Sequence, residues 1–488
     1  MEVKDKRPNI IAIIGAIVLL VLAVVGLSYA FFSAFINGGE TDTSVEGTGA
    51  NLSLVYTDGK SVITSSNIMP GWSATKTFTV TNNGEADTYY KLNISNITNE
   101  FVEGGLTFSI ASADGGTSVA EQAVGTTTRT ISPSITIAEG ATHTYTVTAK
   151  YINLNTDQTP DLGKSFSYTI GIEASQKPTF KDIILANNEV KTPITTPGAA
   201  VSTSSEALLA SAEDDYGTSY YFRGTVTNNY VEFANKCWRI VRIGGDNTVK
   251  LILHNDNISN ASNPCSSANN STTAAFVHYD GNIYKSEFNS NYNDNAYVGF
   301  MYGTPGSTTY EATHANTNKS TILTNLETWY NNNLKTYESV IDNNVFCNDK
   351  SLSSGSGYSA NATDYAARER LYTSKIPSLK CNGELSKITS KIGLITADEL
   401  AFAGYAVRGY ITTSYLKENA TGYSWWSLSP AGFYNKSLSY VFRVRSDNDA
   451  IDICNVDVDS SVRPVISLVS SITISGVSGT SEDPYVVK

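Results

Sequence analysis

Histidine, charge and cysteine are what this chain is short of. Its 488 residues include four histidines, and no H-E-x-x-H run occurs. That spacing sets two imidazoles on one helix face for a metalloprotease zinc, so its absence excludes that chemistry. His143 stands alone in an alternating run, and His254, His278 and His314 lie in Asn-rich surroundings without a nucleophile elbow, which argues against a serine triad. No Gly-rich phosphate loop is present either, because Gly355 and Gly357 sit in a Ser-rich stretch with no helix after it. Charged residues make up 16% of the chain and leave a formal charge of −12. Nucleic acid is excluded as a partner, since binding it takes clustered Lys and Arg to neutralise phosphates. No cysteine precedes Cys237; the five lie at 237, 265, 347, 381 and 454. Their odd count leaves at least one outside any intramolecular bridge. No Leu-Pro-x-Thr-Gly sorting signal precedes Lys488, so attachment to a cell wall is expected to be non-covalent.

What is there begins with an uninterrupted apolar run from Ile10 to Ile36. A helix of about 20 such residues crosses a bilayer core. Lys4, Lys6 and Arg7 precede the run and the first charge after it is Glu40. The positive-inside rule keeps that basic head, residues 1–9, in the cytoplasm and exports everything from Asn37 onward. Residues 10–37 therefore read as a transmembrane anchor. Ser28-Tyr29-Ala30 also offers the small residues of a cleavage site, so the alternative is a signal peptide.

After a Gly/Thr/Ser spacer the pattern changes to short alternating runs over residues 51–175. In Thr75–Thr81, Phe78 and Val80 share one face while Thr77 and Thr79 take the other, and the run stops at the turn Asn82-Asn83-Gly84. Similar runs at 51–56, 89–94, 106–110, 144–149 and 166–172 predict an antiparallel β-sandwich. Residues 176–215, punctuated by Pro178, Pro193 and Pro197, read as an extended linker in which 180–186 could form a helical turn.

From 216 to 488 the pattern is mixed. Strands are expected at 220–224, 230–233, 238–243 and 249–253, the last two joined by a hairpin at Gly244–Asn247. The imperfect alternation of Arg239 and Arg242 with Val241 and Ile243 predicts a half-exposed strand. Ile322, Leu323, Leu326, Trp329, Tyr330 and Leu334 fall on one helical face, with Asn318 or Ser320 as cap. Thr396 and Glu399 have capping-box spacing for a second helix, and strands return at 423–427, 440–445, 450–453 and 462–468. In an oxidising compartment Cys347 and Cys381, flanking a Ser/Gly-rich loop, are expected to bridge. Cys237 with Cys265 is the second choice, leaving Cys454 as the odd thiol.

The runs SYAFFSA, PGWSATKTFTVTNNGEADTYYKLNI, THTYTVTAKY and GKSFSYTIGI resemble the camelysin/TasA-like exported β-sandwich family, whose members build fibres or decorate Gram-positive cell surfaces. The runs GTSYYFRGTVTNNYVEFANKCWRIVRI, HANTNKSTILTNLETWYNNNL, GLITADELAFAG, YSWWSLSPAGF, SVRPVISL and SGTSEDPYVV resemble an uncharacterised domain of Gram-positive surface proteins. More remotely their order is similar to C-type-lectin-like folds, including the formylglycine-generating-enzyme relatives. That resemblance implies a terminal strand paired with the first strand and a loop-rich binding surface. The reactive cysteine pair of a formylglycine-generating enzyme is missing, since Cys454 stands alone in the tail.

Candidate ligand-binding residues cluster late in the chain. Trp425 and Trp426 are adjacent, so in a strand they face opposite sides; one is expected in the core and the other on the surface, stacking on a sugar or peptide. With Tyr423 nearby, they lie close in sequence to Arg443, Arg445 and Asp447. The arginines either pair with Asp447, Asp449 and Asp452 or hold a ligand carboxylate. If both tryptophans are core, the Asn-rich loops from Asn255 to Asn295 are the next candidate. Asp447, Asp449, Asp452, Asp457 and Asp459 follow strand alternation rather than a calcium loop, and Arg463 is expected to satisfy carbonyls or a carboxylate such as Asp398 or Glu399. No cofactor, metal or catalytic residue is expected. The sequence reads as a membrane-anchored extracellular protein: an all-β sandwich, then an α+β lectin-like head that binds a glycan or surface protein. The alternative is a fibre or cell-surface subunit assembling by strand exchange.

Overall fold

The computed structural model describes residues 33–34, 54–58, 68–84, 87–102, 104–161, 163–175, 178–409, 413–472, 474–475 and 478–487. The chain divides into two compact units, Met1–Pro178 and Thr179–Lys488. Apart from Ser33–Ala34, the apolar run expected as an anchor lies outside the described residues. Those two residues form a strand. Among the described residues no helix is long and apolar enough to cross a membrane.

The first unit is two antiparallel sheets. One contains β1 (Ser33–Ala34); the other begins with β2 (Leu54–Asp58) and β3 (Trp72–Asn82). There follow β4 (Thr88–Asn99), β5 (Leu106–Ser112), β6 (Val119–Ala123), β7 (Arg129–Ile137), β8 (Thr142–Tyr151) and β9 (Phe166–Ser175). The strand orders are β1-β9-β4-β7 and β2-β3-β8-β5-β6. The predicted alternation holds in β3: Phe78 and Val80 are buried, Thr77 and Thr79 are not. Gly84 N–H closes the expected turn by donating to Asn82 Oδ1 at 2.9 Å. Tyr56, Phe78 and Tyr145 stack through the core with centroids 5.3 and 4.9 Å apart. Each such ring contributes about 1.5–3 kcal/mol by leaving water, which lets a cysteine-free unit hold together.

The second unit absorbs the segment expected as a linker from Thr179 onward, which is a correction except for the helical turn at 180–186, which forms as expected. Thr179 caps α1 (Phe180–Ala186) through a capping box with Asp182, and Phe180 and Ile184 are fully buried in the second core. Farther on, β10 (Ala207–Asp214) pairs along its whole length with β11 (Gly217–Gly224). The sheet continues through β12 (Tyr230–Phe233), β13 (Lys236–Ile243) and β14 (Val249–Asn255). Proline broke the sequence pattern there, but buried apolar area and backbone pairing decided the structure.

A helix, α2 (Thr321–Asn333), is capped by Ser320 and buries Ile322, Leu323, Leu326 and Tyr330. Beyond it lie β15 (Asn344–Cys347) and α3 (Ala397–Phe402), whose Thr396/Glu399 capping box is formed. Then come β16 (Trp425–Tyr434), β17 (Leu438–Val444), β18 (Ile451–Asn455), β19 (Val465–Leu468) and β20 (Tyr485–Val487). The terminal β20 lies parallel to β12, whereas the lectin resemblance implied pairing with the first strand. β19 pairs antiparallel with β14.

β13 is the second correction. It is a central strand, flanked by β11 and β12 along one edge and by β14 along the other, with Arg239 fully buried. A register irregularity between Ile240 and Arg242 shifts the facing of the residues after it. That bulge, rather than exposure, is why the alternation read imperfectly. Both expected disulfides are present, Cys237–Cys265 and Cys347–Cys381, and Cys454 is free.

Candidate functional site

The residues named from sequence do not form an exposed site. Trp425 and Trp426 are both 0% exposed, so neither is a platform. Trp426 Nε1 donates to the Ser286 carbonyl at 2.7 Å and its ring packs edge-on against Phe288, while Arg463 lies over Trp425. β16 is covered on both faces, so the two opposite directions of adjacent residues both lead into core. Tyr423 is half-buried against Phe276, with Lys285 over its ring. Arg443 is half-buried and donates to Ser460 Oγ at 3.1 Å.

Arg445 is occupied by Asp447 and Asp452, and Asp449 pairs with Lys417 at 2.9 Å. The acidic run thus neutralises nearby cations rather than presenting them. The Asn-rich loops also turn inward: Asn255 Nδ2 donates to the carbonyls of Pro264 and Asn269, and Asn257 to those of Asn235 and Ala261.

A small cleft lies elsewhere in the second unit, where the ends of β10, β13 and β15 meet the start of α3. Three local features build it. The turn Asp214–Gly217 between β10 and β11 is held by Tyr216 N–H donating to Asp214 Oδ1 at 2.8 Å. The hairpin turn after β13 packs so closely on it that a Cβ at Gly245 would lie 2.6 Å from Gly217 N; only glycine fits there. A third wall, residues 375–381, is tied to β15 by the Cys347–Cys381 bridge. Its Leu379 forms a bridge with Asp214, and the Cys381 N–H donates to the Asp215 carboxylate at 3.1 Å.

The floor is a chain of paired charges. Arg242 reaches Asp214 at 2.8 Å and Glu399 at 2.9 Å; Lys250 reaches Glu399 at 2.7 Å. Arg370 grips Asp398 with two parallel bonds of 2.8 and 2.9 Å and Asp349 with a third of 2.6 Å. Such planar two-point contacts fix the carboxylates in place. Burial opposes ionisation of Glu399, but Lys250 and Arg242, helped by the Thr396 N–H, outweigh it and bring its pKa down to about 2. Burial also works against the charge of Arg370, and Asp398 and Asp349 more than offset it, so its pKa is raised.

Six carboxylates against four cations line the cleft: Asp214, Asp215, Asp246, Asp349, Asp398 and Glu399, with Arg242, Lys250, Arg370 and Lys380. The surplus disfavours an anionic ligand. Fixed, mutually paired donors and acceptors instead suit hydroxyl groups, which give and accept at once. Tyr216, 56% exposed, stands on the wall as an accessible ring. The capping residues Thr396 and Glu399 are legible in the sequence, whereas Tyr216, Asp214 and Arg370 are not. Asp214-Asp215 before Tyr216-Gly217 is a turn signal, hidden at the end of a proline-punctuated stretch.

No protein-family model matches the chain, and no curated protein matches it. Among solved structures it is similar to a ruminal GH26 endo-β-1,4-mannanase, at 12% identity and a TM-score of 0.16, covering 35% of this chain and 31% of that one. It is also similar to the sporulation control protein Spo0M from Bacillus subtilis, at 10% identity and a TM-score of 0.13, covering 42% and 76%. The chain therefore spans about a third of the mannanase's length, and at such scores neither neighbour determines fold or activity here.

Proposed function

We propose that this is an extracellular surface protein, held by or exported through its amino-terminal apolar run, whose second unit binds a neutral, hydroxyl-rich glycan in the cleft beside Tyr216. One observation carries the binding site: an exposed aromatic ring on the wall of a cleft whose floor is a rigid array of paired carboxylates, guanidinium and ammonium groups. Rings supply stacking area and fixed polar groups supply direction, the combination ligand sites use. The order of capping-box helix, tryptophan strand and Val-Arg-Pro strand supports a C-type-lectin-like head, and two disulfides support an oxidising compartment. Glu399 is held ionised, so it does not suit the protonated carboxyl that a glycosidase needs.

The test is retention of the purified full-length protein on a glycan array, with Tyr216→Ala and the distant Tyr279→Ala side by side. Tyr279 is 70% exposed and lies outside the cleft. The reading expects Tyr216→Ala to lose retention with an unchanged melting temperature and Tyr279→Ala to keep it. Equal retention by both variants would move the site, and no retention with spontaneous filaments would favour the strand-exchange subunit instead.

A further inference from the structure

A second polar cluster lies in the core of the head, apart from the cleft. Arg463, two residues before β19, is 0% exposed. Its Nε donates to the Leu253 carbonyl at 2.8 Å and its Nη1 to the Leu416 carbonyl at 2.6 Å, but Nη2 has no partner. The two carbonyls belong to the neighbours of His254 and Tyr415. The guanidinium also lies 5.1 Å from the Trp425 ring centre. Arg239, equally buried, sits 5.2 Å from the Tyr415 ring and takes Glu418 as its carboxylate at 2.8 Å. Arg239 and Arg463 each act electrostatically on both His254 and Tyr415.

Four buried atoms in this group lack any hydrogen-bond partner among the described residues: Arg463 Nη2, Tyr415 Oη, Trp425 Nε1 and His254 Nδ1. All four are donors. Arg463 and Trp425 have no acceptor atom to offer, and Tyr415 brings an O–H. His254 accepts from Asn419 Nδ2 through Nε2 at 3.2 Å, which leaves its proton on Nδ1. Burial, reinforced by Arg239 and Arg463, holds this imidazole well below its usual pKa and therefore neutral. Arg463 has no carboxylate among its bonding partners, so one positive charge is uncompensated. Its pKa is lowered by burial to about 10, which still leaves it charged at neutral pH.

An uncompensated buried cation and four idle donors are each costly to leave unmet. A water molecule would satisfy some donors but brings two hydrogens of its own that need acceptors, and it leaves the charge unanswered. We propose that Arg463, Tyr415, Trp425 and His254 form an internal binding site for a small monovalent anion of halide size. Size follows from burial: at most 3% of any of these four residues is exposed, so an occupant must be enclosed. The anion stabilises the head by binding the folded chain alone, and the site is independent of the glycan cleft.

The experiment melts the full-length protein in sodium chloride or sodium bromide against sodium gluconate at equal ionic strength. The melting temperature is expected to rise by a few degrees with halide and to saturate. In Tyr415→Phe, which removes one donor without changing charge, the halide increment should shrink or vanish. An anion-independent melt overturns the site, as does an undiminished increment in Tyr415→Phe. Should that variant fail to fold, bromide anomalous diffraction from crystals of the wild-type chain decides. A peak within hydrogen-bond distance of Arg463 Nη2 supports the site, and density for water alone at that place overturns it.

Discussion

At the scale of single residues, burial separates side chains that the sequence could not. Trp425 and Trp426 are both enclosed, so Trp425→Ala and Trp426→Ala should each lower stability by about 3–5 kcal/mol, read by chemical denaturation. A variant of either that melts like the wild type would contradict this packing. Cys454 is half-buried, and burial pushes its thiol pKa up. It should therefore label slowly with iodoacetamide in the native protein and quickly after unfolding. Rapid native labelling would place it on an open surface. Tyr216 is the opposite case: an aromatic residue that costs little to remove and is expected to matter only for ligand.

At the scale of elements, the start of α3 is held by charge as much as by its cap. Glu399 accepts from its own helix cap and from Arg242 and Lys250 of the neighbouring sheet. Glu399→Gln would leave both cations without their shared carboxylate and should cost about 3–5 kcal/mol, the usual loss when one partner of a buried pair is removed. The pH dependence has a definite sign. Glu399 titrates near 2 in the folded chain against its ordinary 4.5, so its contribution is present above pH ~4.5 and lost as pH falls toward 2. Urea melts between pH 6 and 2 should show that acid limb in the wild type and a flatter one in Glu399→Gln. The disulfide Cys347–Cys381 ties another wall of the same cleft. Reduction should cost about 3–4 kcal/mol for a loop of this length. Non-reducing peptide maps should recover Cys347 with Cys381 and Cys237 with Cys265; a different pairing would require the cleft to be rebuilt.

At the scale of the whole molecule, two compact units with separate cores predict two unfolding transitions in calorimetry. Reductant should shift the transition of the second unit and spare that of the cysteine-free first. Protease added to intact cells should remove both units if the apolar run sets the topology proposed here. Protection of the second unit would reject that topology. Amino-terminal sequencing of the mature chain separates anchor from signal, since a start at Phe31 means cleavage while leaving the strand Ser33–Ala34 in the sandwich.

Local signals in the sequence were enough for the elements whose causes are local. The alternation around Phe78 and Val80, the turn at Asn82-Asn83-Gly84 and the Thr396 cap are legible from spacing and side-chain chemistry, while Ser320 is one of two caps the sequence offers and Cys237–Cys265 a second choice after Cys347–Cys381. The elements that failed were hidden for different reasons. Residues 176–215 look like a linker because prolines interrupt them, yet β10 forms a hairpin with β11 next to it in the chain, and the helical turn expected at 180–186 docks Phe180 and Ile184 into a core built by residues far along the chain. β13 looked half-exposed because a bulge breaks its period. Trp425 was expected to differ from Trp426 because adjacent residues point apart, but a layer on each side of β16 buries both. Arg370, Asp214 and Glu399 come together from segments up to 185 positions apart. Ion pairing and burial act through space, so a site assembled that way was decided only when the chain folded.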